Sequence, residues 1–243
     1  AWAWGGYAHT VTVPGRWAVA AITLPMGRIA GGVAVAGTTP GQSTSGSGAP
    51  MIEFDINSLG PPAQQNLVNA LRYEPGFSVD LLADLAVPIG EYDNSQPLNI
   101  GQNRWYGRLG APIVWQLGAW VPGRRTTLEF LPAVWLFGPN DDYVGKTMKT
   151  DPLFQLDAHL SRDLTEHFWA SLDGTWYTGG QASIDGVEGE YGEPAGGSSW
   201  GVACGRGGSG GSWVASGPVT IRVGGENWTE PSGAMGALTR LRG

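Results

Sequence analysis

The chain has 243 residues, of which only 14% are charged, against roughly 25% in an average soluble domain; 40 are glycine and 12 tryptophan, a mixture that suits strands, turns and aromatic belts. A net charge of −7 without a basic cluster excludes nucleic acid as a partner. No run approaches the ~18 consecutive apolar residues of a spanning helix, so any membrane insertion has to use β-strands, and the single Cys204 excludes an intramolecular disulfide framework and a thiolate zinc cluster.

The first residues, "AWAWGGYAHT", lack an initiator Met and the charged-then-apolar layout of a secretion signal, which reads as a truncated or processed start. "YAHTVTVPGRWAVAAITLPMGR" predicts a hairpin turning at Pro14 and Gly15, and "TTPGQSTSGSGAP" a flexible loop. From residue 50 an up-and-down series of alternating runs begins. In "MIEFDINSLG" Ile52, Phe54 and Ile56 fall on one face, and Glu53, Asp55 and Asn57 on the other. Residues 64–72, after two prolines, predict a short helix.

"FSVDLLADLAVPIG" sends Phe77, Val79, Leu81, Leu85 and Val87 to one side and Ser78, Asp80 and Asp84 to the other. A half-buried strand of a soluble sandwich gives the same alternation, so this segment alone leaves sandwich and membrane barrel open. "EYDNSQPLNIGQNR" is a polar loop, and "WYGRLGAPIVWQLGAW" predicts one strand with Tyr106, Arg108 and Gln116 on one face. After the tight "VPGRR" connection, "TTLEFLPAVWLFG" turns Leu128, Phe130 and Val134 outward, with Thr127 and Glu129 opposite; the polar loop "PNDDYVGKTMKTD" follows.

"PLFQLDAHLSRDLTEHFWASLDGTWYTGG" predicts a hairpin through a polar turn around "SRDLTE". Gln155, Asp157 and His159 share its polar face with His167, Ser171, Asp173 and Thr175. Connections thus alternate between short and long, and aromatics such as Trp105, Trp115, Trp120 and Trp176 lie near strand ends, both features of an outer-membrane barrel. From about Tyr191 the alternation gives way to Gly/Ser-rich sequence in which only "PVTIRVGG" reads as a strand.

Over residues 48 to about 190, with "RYEPGFSVDLLADLAVPIGEYD" and "DAHLSRDLTEHFWASLD" the most characteristic pieces, the sequence resembles the transporter-like outer-membrane proteins of the MetA-pathway of phenol degradation family. The resemblance implies a Gram-negative outer-membrane β-barrel taking part in uptake of aromatic or other hydrophobic compounds. It assigns no catalytic residues. Family members continue with amphipathic strands and commonly end in an aromatic residue, whereas this chain ends "LTRLRG". Residues 191–243 are therefore expected to be an atypical tail, aberrant or disordered, after barrel strands in 1–190.

The expected fold is all-β, an antiparallel up-and-down transmembrane barrel, incomplete at its C-terminus. Glu53, Asp55, Asp80, Asp84, Arg108, Glu129, Asp157, His159, His167 and Asp173 are the polar candidates for its lumen, and Tyr106 and Trp135 the candidate solute contacts. The carboxylates read equally as groups paired with Arg108 and plugging a narrow interior. In one register His159 and His167 face each other near Asp157, which would give a weak metal or proton site; ordinary polar rim histidines explain them as well. "GRGGSG" at Gly205 fits a dinucleotide fingerprint formally but neither follows a strand nor opens a helix. No nucleophile elbow, Walker loop or fixed carboxylate pair is present, so no enzyme, metal or cofactor is expected. The expected partners are outer-membrane lipid and a small hydrophobic or aromatic solute, with the oligomeric state open. The alternatives are a soluble β-sandwich binding module for carbohydrate or another ligand, and a structural barrel with a plugged lumen.

Overall fold

A computed structural model describes residues 2–13, 15–32, 41–61, 76–188, 197–206 and 213–219. All regular structure in them is β. Strands β1 (Trp2–Val13), β2 (Arg16–Gly32), β3 (Gly41–Ser47), β4 (Met51–Leu59), β5 (Phe77–Ala86), β6 (Tyr106–Gly110), β7 (Ile113–Gln116) and β8 (Thr126–Phe137) are followed by a short pair, β9 (Asn140–Tyr143) and β10 (Lys146–Thr150). Then come β11 (Leu153–Thr165), β12 (Phe168–Gly179), β13 (Ala182–Ile184), β14 (Val187–Glu188), β15 (Gly197–Arg206) and β16 (Trp213–Val219).

One antiparallel sheet runs in chain order, β1-β2-β4-β5-β6-β8-β11-β12-β15-β16, with β3 beside β2 and β7 between β5 and β8, while β14-β13-β10-β9 form a small second sheet at one rim. The first hairpin turns where the sequence predicts it, with Val13 opposite Arg16 and Gly15 at φ +74°, a conformation that costs glycine little. Two strand positions are built from two lengths each. β6 and β7 keep one register across β5 (Leu82 opposite Gly110, Val79 opposite Ile113), and the ladder is interrupted only where Pro112 has no N–H to give. Likewise β3 and β4 both pair with β2, on either side of Gly48–Pro50. The single strand expected across residues 105–120 is thus broken at Ala111–Pro112.

Several expectations change at this level. Residues 41–47 of the expected flexible loop form β3, opposite Met26–Gly32. The polar loop after β8 is the β9–β10 hairpin. The expected turn around "SRDLTE" lies mostly inside β11, which runs to Thr165 and leaves only residues 166–167 to turn, because cross-strand pairing with β8 and β12 overrides the polar composition. Residues 197–206 and 213–219, in the expected tail, form β15 and β16, and β15 continues the sheet beside β12. The helix expected at 64–72 lies outside the described residues.

The two faces differ throughout. Large apolar side chains are exposed on one: Ile22, Leu24 and Met26 of β2, Phe54 and Ile56 of β4, Phe77, Leu81 and Leu85 of β5, Leu109 of β6, Phe154, Leu156 and Leu160 of β11, Leu172 and Trp176 of β12. No second layer covers them among the described residues. The other face is polar, and along β5 all of its residues, Ser78, Asp80, Leu82, Asp84 and Ala86, are buried. Gly107 lets β6 close on this wall, since a Cβ there would sit 2.4 Å from the Asp84 carbonyl oxygen.

Candidate functional site on the polar face

The alternation of β4, β5, β6 and β8 brings five of the predicted residues together. Glu53 lies opposite Asp84, and Asp84 opposite Arg108 on the next strand. The Arg108 Nε donates to Asp84 Oδ2 at 2.6 Å, with the Asp84 side chain fully buried. Arg108 in turn lies opposite Trp135 and places its guanidinium 5.0 Å from that ring's centre. Tyr106 sits 6.3 Å from Trp135 and 6.1 Å from Phe137, stacked on the latter at 27°. Arg104 closes the other end, 4.9 Å above Phe137. Parity explains the strand part of the column: residues 106 and 108 point one way along β6, as do 135 and 137 along β8, while Arg104, in the bend before β6, is placed over Phe137 by its bonds to Gln102 and Thr150. Arg104, Tyr106, Phe137, Trp135 and Arg108 thus form a continuous aromatic column held between two guanidiniums.

The Trp135 indole donates to Gln155 Oε1, and Gln155 donates to Asp157 Oδ2 at 2.7 Å, which extends the column onto β11. Towards the short-turn end Asp80 accepts from Asn57 at 2.7 Å, and Arg16 donates to Asn57 Oδ1 at 3.0 Å. Asp55 lies one step from both groups, opposite Leu82. One buried oxygen each of Asp55, Asp84 and Asp157 has no hydrogen-bond partner among the described residues.

His159 lies opposite Asp173 and Glu129, not His167. Its Nδ1 is 2.8 Å from Asp173 Oδ1, and Ser171 donates to the other Asp173 oxygen at 2.9 Å. His167 occupies the exposed turn, where its backbone N–H donates to Thr165 Oγ1. The facing histidine pair is therefore corrected: the β11–β12 register matches residue 159 with 173, which the alternation alone does not fix. Among the described residues no group of three His, Cys, Asp or Glu is arranged to hold a metal ion.

At the long-loop rim the column meets a hydrogen-bonded interlock. Asn140, 1% exposed, donates to Tyr92 Oη and to the Gln102 carbonyl, and accepts from Asn103 and from the Asp142 N–H. Asn94 donates to Asp142 Oδ2, and Tyr143 to the Pro97 carbonyl. Bonds from Ser95, and more weakly Gln96, hold the exposed Asp93 carboxyl below its usual range, while burial and the nearby Tyr92 push the Tyr143 phenol up. Arg104, Phe137 and Asn140 escaped the reading of the sequence. The parity that Phe137 shares with Trp135 along β8 was the available signal for that ring; for Arg104, in the bend before β6, and for a rim asparagine there was none.

The model of the family described as "Putative MetA-pathway of phenol degradation" matches residues 2–234. The chain belongs to that family. Among solved structures it is similar to a COG4313 outer membrane channel from Pseudomonas putida F1, at 17% identity and a TM-score of 0.70, over 89% of this chain and 74% of that one. The likeness shows a shared fold, an antiparallel β-barrel. No curated protein sequence matches the chain.

Proposed function

We propose that the chain is an outer-membrane channel through which small aromatic or other hydrophobic molecules pass, its apolar face against lipid and its polar face lining the lumen. The observation that carries the reading is the aromatic column Phe137–Tyr106–Trp135 on the polar face of a sheet whose opposite face is apolar and uncovered. Stacked rings give a flat solute a succession of weak, similar contacts, each worth ~0.5–1.5 kcal/mol, so that it can bind and still move on. Family membership and the channel fold support the same reading, and a channel is a non-catalytic role. Outer-membrane localisation follows from it, because such a face demands lipid or detergent.

The complete burial of the β5 polar row favours a second reading, a barrel whose interior is plugged. Proteoliposomes separate the two. Entry of phenyl β-glucoside, a ring-bearing solute too polar to cross lipid unaided, should exceed that into protein-free vesicles. Replacing both Tyr106 and Trp135 by Ala should slow it several-fold while leaving glycine entry unchanged. A folded protein that admits neither solute would establish the plugged barrel.

A further inference from the structure

The two guanidiniums that bracket the column are not equivalent. Arg108 has a carboxylate, Asp84, at 2.6 Å. Arg104 is 8% exposed and has only neutral partners: its Nε and one Nη2 hydrogen go to Gln102 Oε1 (3.1 and 2.9 Å), and one Nη1 hydrogen goes to Thr150 Oγ1 at 2.7 Å. No carboxylate lies within ion-pair distance among the described residues. A guanidinium has five N–H donors, so one on each terminal nitrogen is left over. A buried cation without a counter-charge is costly, and the face of Phe137 offsets that cost only in part. Gln102 and Thr150, meanwhile, fix the fork at the rim end of the column, where a solute entering from the long loops arrives first.

We infer that Arg104 is an anion-recognising residue, and that the column's preferred solute is an aromatic carboxylate whose acid group meets Arg104 while its ring rests on Phe137 and Tyr106. The inference rests on the column being a solute site. It adds a sign of charge to the solute, one that the net charge of −7 of the chain would not suggest. A neutral aromatic would use the rings alone, and a carboxylate without a ring would use Arg104 alone.

The test is equilibrium dialysis of three probes, benzoate, benzyl alcohol and acetate, against the full chain refolded in detergent, with empty micelles subtracted. The wild-type protein should hold benzoate about tenfold more tightly than either other probe. Arg104→Gln should remove that advantage and leave benzyl alcohol unchanged, and Arg104→Lys should keep part of it, since a point charge replaces the fork. Equal binding of benzoate and benzyl alcohol to the wild type overturns the inference but leaves the column as a neutral aromatic site. Equal binding of acetate and benzoate overturns the aromatic half. No binding of any probe removes the column as a solute site altogether. The wild-type comparison stands even where a variant fails to refold.

Discussion

Asp84 and Arg108 form an ion pair in which one partner has no contact with water, so the two halves are not interchangeable. Removing Arg108 leaves a buried carboxylate alone and should cost about 3–5 kcal/mol. Arg108→Ala is therefore expected to unfold in urea well before the wild type, and Asp84→Asn added to it should restore much of the loss, as read by tryptophan fluorescence in micelles. Asp93 acts at the opposite extreme, on an exposed loop. Its folded-state pKa is lowered, chiefly by the Ser95 hydroxyl. A depressed carboxyl contributes order above its unfolded value of about 4 and loses it as pH falls through the folded value. Amide exchange at Ser95, whose N–H donates to Asp93 Oδ1 at 2.9 Å, should be slow at about pH 5 and accelerate below the ordinary carboxylate range beyond its intrinsic pH dependence. Asp93→Asn should abolish that step.

At the scale of elements, what the sequence discloses is parity. The period-two pattern places Leu81 and Asp80 on opposite faces of β5, and the structure has Leu81 55% exposed and Asp80 5%. Leu81→Arg should therefore lose roughly 2–4 kcal/mol in reversible refolding into bilayers; a loss near zero would place Leu81 away from the hydrocarbon. Parity has limits of three kinds. Gly41–Ser47 carries no large apolar side chain to show an alternation, and in Gly197–Arg206 Trp200, Val202 and Cys204 alternate with Gly and Ala instead of polar residues, yet both segments pair as strands because their backbones face ready-made neighbours. Pro112 interrupts hydrogen bonding without changing register, which leaves the apolar pattern intact and the break invisible. Register between strands is not written in either strand alone, so the partner of His159 came out as Asp173. The candidate site was legible to the same degree: Tyr106 and Trp135 by face, their contact and the two arginines bracketing them only once β6 and β8 are aligned.

For the whole molecule, a sheet with one uncovered apolar face is stable only where that face meets something other than water. The chain should therefore refold into detergent micelles as a β-rich species whose gel mobility shifts on boiling. Equal β-structure and solubility without detergent would instead favour the sandwich, with the exposed leucines buried against a second layer. Connections at the rim bearing residues 14–15 are short, at 117–125 and 166–167, except for 60–76 between β4 and β5. The opposite rim carries the longer loops 87–105 and 138–152 and the small second sheet.

The Asn140 interlock also bears on the order in which the molecule is made. Its partners Tyr92, Gln102 and Asn103 precede it by 48, 38 and 37 positions. When the strands up to β7 have been synthesised, the loop that follows β5 still lacks the side chain that will fasten it, and it acquires that side chain only when the chain has passed β8. The rim seam thus has all its parts once residues 140–143 exist, while β11 and the wall strands after it are still to be made.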